Sequence, residues 1–578
     1  MANRETACKG YLMSPTDTPQ AKSQSPQHPA DLSPGHSTAR SSALFTAGTL
    51  VSRLSGVLRE SVVGAVFGAG TVMDAFVVAY RIPNLLRELI AEGALGSSFT
   101  QVYTSTAERD EAAARKVLDD TLRLVFWLGA IVVIGGVILA PSLVTLMNRR
   151  GNAPDSAQFT AIAVRQTQIL FPTIAIFAIT SIVTGALHKK GRFFLSAVSP
   201  AAFNFANIAG ALFLTPVIVA ISSPDVANWL GDAGITGLSL GVLAGAGLQL
   251  WIARLGLRGD HRTRSPQWLP WTPETKKIVT LMVPMVIAAS AGQVNVIVNT
   301  NFATSLEPGA VTWLNFAFRF LQLPIGMFGV AISAAVLPAL TRAISRAGNR
   351  VDKAASVEIV NALDLVTWLL LPSFVFLYLS STDVIALFYE AGKFTATDTA
   401  ATAIALRAYS FGLVSYGLLK VLNSYYYATE RTRYAMWVGI VSIAVNYLLN
   451  AALVSRMGHR GLALTTSATL TGNTLLLLAG MTRDRVQVDW KELFRSMMIL
   501  AFASLVALKL HAALKIGLVG LDSFGQPAWK KLTAVVNIFG SAGAVGSAFA
   551  LFAMIRLRTG PRQFAKMARK FRSKKKAR

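Results

Sequence analysis

The chain of 578 residues is 53% hydrophobic and only 15% charged, with a mean hydropathy of +0.49, which is too apolar for a soluble protein and long enough for many membrane spans. Lys and Arg exceed Asp and Glu by 55 to 29, a formal charge of +26; in a membrane chain that excess is read by loop position before nucleic acid is considered. The single cysteine, Cys8, excludes an intrachain disulfide and any cysteine-based metal cage.

Residues 1–40 are rich in Ser, Pro, Gln and Thr and hold no apolar run with a small-residue cleavage site, so they read as a disordered cytoplasmic tail and not as a signal peptide. Apolar stretches of crossing length then follow at 42–67, 72–104, 121–147, 160–187, 194–219, 234–256, 277–304, 311–340, 358–380, 400–428, 434–455, 460–481, 493–515 and 532–557. The first two carry an unusual load: Arg53, Arg59 and Glu60, then Asp74, Arg81, Arg87, Glu88 and Glu92. A charge at mid-bilayer depth costs about 2.5–3.5 kcal/mol on insertion scales, so these side chains must face protein or water. Arg53, Gly56 and Glu60 share one helical face, as do Asp74, Arg81 and Glu88, whereas Arg59 and Arg87 lie off those stripes and reach the same cavity only through tilt, rotation or a break. Pro83 in the second stretch and Pro324 in the eighth supply breaks, with Gly93, Gly96, Gly326 and Gly329 after them; hinge and packing roles are both open at this point.

Connections alternate in charge. Arg109, Arg115 and Lys116, then Lys189, Lys190 and Arg192, the cluster from Arg254 to Lys277, Arg342 to Lys353, Arg431 and Arg433, and Arg483 to Arg495 fall on one side, and the intervening connections are poor in Lys and Arg. The positive-inside rule makes the first set and both termini cytoplasmic, which requires an even number of spans. The polybasic end, through Lys574, Lys575, Lys576 and Arg578, reads as a topology anchor on anionic headgroups, with no nucleic-acid motif beside it.

A repeat is visible at an offset of 319 − 81 = 238, which lays Asp74 to Arg81 over Thr312 to Arg319. Spans four and five likewise match ten and eleven, with Asn204 and Asn446 in corresponding places. The expected fold is an all-α polytopic membrane protein of about fourteen transmembrane helices: a tail to 40, an N-lobe over 41–256, a basic linker over 257–276, a C-lobe over 277–481, a further helix pair within 482–557 and a polybasic tail over 558–578. Six helices per lobe give parallel repeats, with a cavity between the lobes as the transport site.

Arginine presents a permanently charged fork that fits phosphate oxygens bidentately, so Arg53, Arg59, Arg87 and Arg319 point to an anionic, phosphate-bearing substrate. The competing reading is internal ion pairing with Glu60, Asp74, Glu88 and Glu92. Pairing is the expectation for Arg81, and ligand contact for Arg319, whose neighbours Phe318 and Gln322 are uncharged. Gly392-Lys393-Phe394-Thr395 lacks the upstream glycine and following hydroxyl of a nucleotide loop, and the scattered histidines show no metal spacing or nucleophile triad, so an enzyme has little support. Arg165, Asp364, Arg407 and Lys420 stand singly in later spans, as packing partners or as a means of coupling to membrane potential or a monovalent ion.

The run from Ser52 to Glu60, with Phe67-Gly68-Ala69-Gly70, Asp74-Ala75-Phe76, Ile82 to Arg87, Ala91-Glu92-Gly93-Ala94, Phe318-Arg319, Leu337-Pro338, Gly392 to Thr395 and Tyr425-Tyr426-Tyr427, closely resembles the MurJ/MviN family of lipid II flippases. The resemblance spans about 41–557 and implies a bacterial inner-membrane transporter without cofactor. It also implies a cationic cavity for the diphosphate-sugar headgroup of lipid II, with Arg53, Arg59, Arg87 and Arg319 as functional arginines, Asp74 and Glu92 as matching acids, and a groove at the last two helices for the polyprenyl tail. The chain departs from the family pattern at Phe318 and Gln322, where acids are common, which makes the cavity more positive. Another polyprenyl-diphosphate saccharide as cargo, or a non-transporting scaffold that binds the lipid or recruits wall-synthesis proteins, are the alternatives.

Overall fold

The computed structural model describes residues 36–559 apart from 152, 258–269, 349, 484–485, 487–489 and 519–526. The expected disorder before residue 36, most of the basic linker and the polybasic end lie outside the described residues. Among these the chain is helical, with no strand. The helices are α1 His36–Phe67, α2 Thr71–Leu86, α3 Gly96–Ala107, α4 Glu111–Met147, α5 Ser156–Leu170, α6 Pro172–Lys189, α7 Phe193–Ala209, α8 Thr215–Ile221, α9 Pro224–Leu230, α10 Ala233–Leu255, α11 Pro273–Thr304, α12 Ala310–Pro324, α13 Val330–Arg346, α14 Lys353–Leu379, α15 Ser381–Tyr389, α16 Ala396–Ser410, α17 Leu413–Ala428, α18 Thr432–Arg483, α19 Trp490–Leu518 and α20 Pro527–Thr559.

All fourteen apolar stretches fall on helix, and α18 holds two of them, on either side of Gly458 with φ at +55°. Among the described residues eight helices are long and apolar enough to cross a membrane by length and composition, or ten if two bent pairs each count as one span. α2, at 16 residues, is too short by itself for that set, and the charges Arg53, Arg59 and Glu60 keep α1 outside it, since ionisable side chains require an interior face. Several boundaries are set locally. Asp232 and Asp352 cap α10 and α14 by accepting from the backbone of Ile235 and Ala355 at 2.8 Å each, and Thr395 with Asp398 forms a reciprocal capping box at the start of α16.

Three π-helical segments interrupt the rods, Arg87–Leu95, Gly210–Leu214 and Ile325–Gly329. The first and third follow Pro83 and Pro324, and their starts differ by 325 − 87 = 238, the offset already read from the sequence. Each wide turn rotates the downstream face relative to the upstream one. A stripe calculated for an ideal helix therefore does not continue through it.

In the first half α1 packs on α7, α2 on α5, and α10 on α6 and α7; in the second α12 packs on α16, α13 and α14 on α17, and α11 on α18. The α7–α10 contact needs bare backbone, because a Cβ added at Gly210 would lie 2.6 Å from the Gly241 Cα. Between halves, α12 meets α2, α1 meets α15, and α11 reaches α3, α4 and the first π segment. The pair α19–α20 lies against α14 and α15, fixed by Ser496 donating to Asp364 at 2.9 Å and Asn537 to Asp383 at 3.2 Å.

Candidate functional site

A cavity of about 630 Å³ opens between the halves, walled by α1, α2, α10, α11, α12, α17 and α18. Its charged lining is Arg59, Glu60, Arg81, Glu88, Arg319 and Lys420, four cations against two carboxylates. Phe318 and Gln322 line it as well, and neither carries a charge.

At its centre one carboxylate oxygen serves two guanidinium groups. Glu60 Oε1 lies 2.5 Å from Arg59 Nη2 on the same helix and 3.2 Å from Arg319 Nε on α12. Arg59 is further held by donating to Asn204 Oδ1 on α7 at 3.1 Å, and Asn204 in turn donates to the Ser52 carbonyl and Ser55 Oγ, each at 3.0 Å. The sequence marked Asn204 as a repeat position only; its role in aiming Arg59 comes from the α1–α7 packing. Arg319 is the more open of the two, its side chain 36% exposed against 13% for Arg59. Two cations sharing one anion keep a net positive charge available to a ligand.

Arg81 also lines the cavity, donating to Thr300 Oγ1 at 2.6 Å. Of the two acids on the stripe of Arg81, Asp74 and Glu88, the first is committed elsewhere. Glu88 lines the cavity and accepts from Asn84 Nδ2 at 2.7 Å and Gln293 Nε2 at 3.3 Å. Lys420, read from sequence as one of several single charges, extends into the same space beside Tyr416, its Nζ 5.3 Å from the ring centre. The other single charges find local partners: Arg407 donates to Ser381 and Thr382, and Arg165 to the Trp229 carbonyl and Gln168.

Arg53 and Arg87 stand off the cavity lining. The Arg53 guanidinium lies against the backbone of Gly326 in the third π segment, so close that a Cβ there would fall on it. Arg87 sits over the Phe177 ring at 4.6 Å. Glu92 falls within the first π segment, Arg87–Leu95. The hinge candidates Pro83, Pro324, Gly326 and Gly329 all border or belong to the π segments.

Asp74 anchors a second cluster at the end of the bundle where connections are poor in basic residues. It is fully buried. Its Oδ1 accepts from the Thr312 backbone at 2.9 Å and from Thr312 Oγ1 at 2.7 Å, and its Oδ2 accepts from the Gly309 backbone at 2.7 Å and pairs with Arg150 Nη2 at 3.1 Å. Thr312 is the repeat counterpart of Asp74, 238 residues on. Residues that touch their own counterparts lie where a two-fold axis relating the repeats would pass. Arg150 also pairs with Asp155, which accepts from Thr71 Oγ1 at 2.5 Å. Partial burial raises the Asp155 pKa, but Thr71 and Arg150 outweigh it and hold the carboxyl below its usual value. Nearby, the Lys393 backbone donates to the Ala65 carbonyl at 2.8 Å, and Gly392, with φ at +56°, leaves no room for a Cβ against that carbonyl. The Gly392 to Thr395 motif is thus a strap that caps the end of α1 from the other half of the molecule.

A family model described as "Lipid II flippase MurJ" matches residues 63–540. The chain is 33% identical over 444 residues to "Lipid II flippase MurJ" of Burkholderia cenocepacia, covering 75% of this chain and 82% of that one. A solved structure titled "Lipid II flippase MurJ, inward closed conformation" superposes with a TM-score of 0.69 at 22% identity, over 89% of this chain and 99% of that one. An inward-facing multidrug resistance MATE family transporter of the MOP superfamily does so at 0.55 and 16% identity, over 77% and 93%. At these identities the two structural likenesses speak for the fold.

Proposed function

The chain belongs to the MurJ family of lipid II flippases, membrane transporters and not catalysts, and from that premise we propose that it carries lipid II from the cytoplasmic to the outer leaflet of the bacterial inner membrane by alternating access. The observation that carries this reading is the Arg59–Glu60–Arg319 cluster, shared between α1 and α12 and facing a cavity with two more cations than carboxylates. A diphosphate crossing hydrocarbon unaided would pay a prohibitive desolvation cost. Inside this cavity its oxygens exchange water for guanidinium forks.

The steps follow from the geometry. A diphosphate entering the cavity competes with Glu60 for Arg319 and Arg59, and so loosens the contact that ties α1 to α12. The Asp74–Thr312 cluster closes the end assigned to the outer face by the charge of the connections. Its release, with bending at the π segments beside Pro83 and Pro324, opens that end. Arg53 and Arg87 then come to the ligand as the halves rock, while the polyprenyl tail stays in the bilayer along α19 and α20. Coupling to membrane potential or to a monovalent ion supplies direction.

Purified protein in liposomes with labelled lipid II tests the reading. Headgroup should reach the opposite leaflet only in vesicles that hold the protein, faster under a potential or ion gradient of the right sign. Binding without transfer would make the protein a scaffold. The hinge is tested separately: Gly326→Ala pushes a methyl into the Arg53 guanidinium, within 2.1 Å of Nη1, and is expected to slow transfer about tenfold, a cost of ~1.4 kcal/mol, while the purified protein keeps its melting temperature within a few degrees. An unchanged rate would show that the Arg53–Gly326 contact is idle in the cycle.

A further inference from the structure

The cavity has two chemically different walls. Its cations Arg59, Arg81, Arg319 and Lys420 come from α1, α2, α12 and α17, whereas the stretch of α11 from Gly292 to Ala303 contributes Gln293, Asn295 and Asn299 and no charge. Asn295 and Asn299 are one turn apart on the same face, and this lining runs for about 16 Å of helix at ~1.5 Å per residue. A Cβ added at Gly292 would meet nothing within 4 Å, so the wall is open at that end.

Part of this wall is already engaged. Gln293 donates to Glu88 at 3.3 Å, and Asn299 accepts from Asn450 at 2.8 Å. Gln293 Oε1 and Asn295 Oδ1, by contrast, accept no hydrogen bond among the described residues. A carbonyl oxygen removed from water without a donor is costly, and rotation of the amide toward the cavity would bring it to a ligand hydroxyl or N–H. Primary amides offer donors and acceptors without charge, while guanidinium offers donors only. The first suits hydroxyls and peptide groups, the second phosphate.

A diphosphate between Arg59 and Arg319 occupies only part of a cavity of about 630 Å³, a volume within the range that houses larger ligands. We propose that the amide face of α11, Gln293 and Asn295 foremost, is the subsite for the neutral hydroxyl- and amide-bearing portion of a diphosphate-linked saccharide, and so selects which headgroup the protein moves. This assignment rests on the function proposed above. It locates selectivity on one helix, apart from the arginines that supply general affinity.

The test compares two labelled lipids in the same proteoliposomes, bare undecaprenyl diphosphate and the diphosphate carrying the disaccharide-peptide. Asn295→Leu keeps the number and branching of side-chain heavy atoms and removes the amide. It should raise the half-saturating concentration of the saccharide lipid about tenfold, as loss of one ordinary hydrogen bond does, and leave that of the bare diphosphate lipid unchanged. Asn295→Gln, which keeps an amide, should restore most of the difference and controls for a folding defect in the leucine variant. Equal losses for both lipids, or no loss for either, overturn the subsite. Wild-type protein that moves neither lipid overturns the transport reading itself, and the subsite with it.

Discussion

Arg319→Ala is expected to abolish headgroup transfer in proteoliposomes while leaving the protein inserted and folded. The side chain does two things at once. It offers the most exposed guanidinium of the central cluster, and it draws Glu60 away from exclusive pairing with Arg59, the two contacts to Glu60 Oε1 being 3.2 and 2.5 Å. Without Arg319, Glu60 and Arg59 become a neutral pair, so the cluster loses its net positive charge and Arg59 is left committed to the carboxylate. Truncating one partner of a desolvated charge pair costs about 2–5 kcal/mol, much of it from the partner left behind. At ~1.4 kcal/mol per tenfold that corresponds to a fall of roughly 30-fold to several thousand-fold in transfer at low substrate.

Two companion variants separate charge from shape. Arg319→Lys keeps the charge but not the fork, and should retain binding with a higher half-saturating concentration. Glu60→Gln releases both guanidinium groups to the ligand, and should tighten binding while slowing turnover, because the carboxylate that displaces the departing diphosphate is gone. Opposite movements of affinity and maximal rate in Glu60→Gln are the signature of exchange between carboxylate and phosphate. Transfer at the wild-type rate by Arg319→Ala would remove Arg319 from the site and with it the cross-half cluster as the seat of substrate binding.

The helical framework and the cationic character of the cavity were legible because both depend on local quantities: length of apolar runs, position of basic connections, and charges too numerous for lipid in α1 and α2. The 238-residue offset was legible for the same reason, and it anticipated the paired π segments at Arg87–Leu95 and Ile325–Gly329. Partner choice was not. Asp74, Arg81 and Glu88 share a face in an ideal helix, yet Asp74 takes Arg150 from a connection 76 residues away, and Arg81 finds Thr300 on α11. Arg150 lies in one of the connections poor in basic residues, where nothing local marks it as a buried counter-ion. Lys420 and the amides of α11 escaped for a related reason: single polar residues in apolar helices acquire meaning only when packing fixes which face looks into the cavity.

The buried acid supplies the second large effect. Asp74→Asn should shift the protein away from this conformation and nearly eliminate transport. The carboxylate receives three donors from Gly309 and Thr312 and the charge of Arg150, whose side chain is 2% exposed. An amide in its place keeps the volume but leaves Arg150 with Asp155 alone and turns an NH2 group toward backbone N–H donors. Breaking a buried pair in this way costs about 3–5 kcal/mol. The contacts join α2 to the start of α12, so the cost falls on the arrangement that closes this end and not only on the folded state as a whole. A differential of ~5.5 kcal/mol is enough to carry a two-state equilibrium from 99:1 to 1:99, so a loss near that size converts most molecules. With Cys8, the single cysteine, replaced by serine, spin labels at the exposed positions Gln158 and Lys393 report the separation of the two halves. Their distance distribution should move to longer values in Asp74→Asn, and an unchanged distribution would show that this cluster does not hold the end shut. Arg150→Met distinguishes a latch from a general loss of stability. If the two residues act as a pair, the double variant is more stable than the sum of the single changes predicts by on the order of 2 kcal/mol, while its halves remain apart.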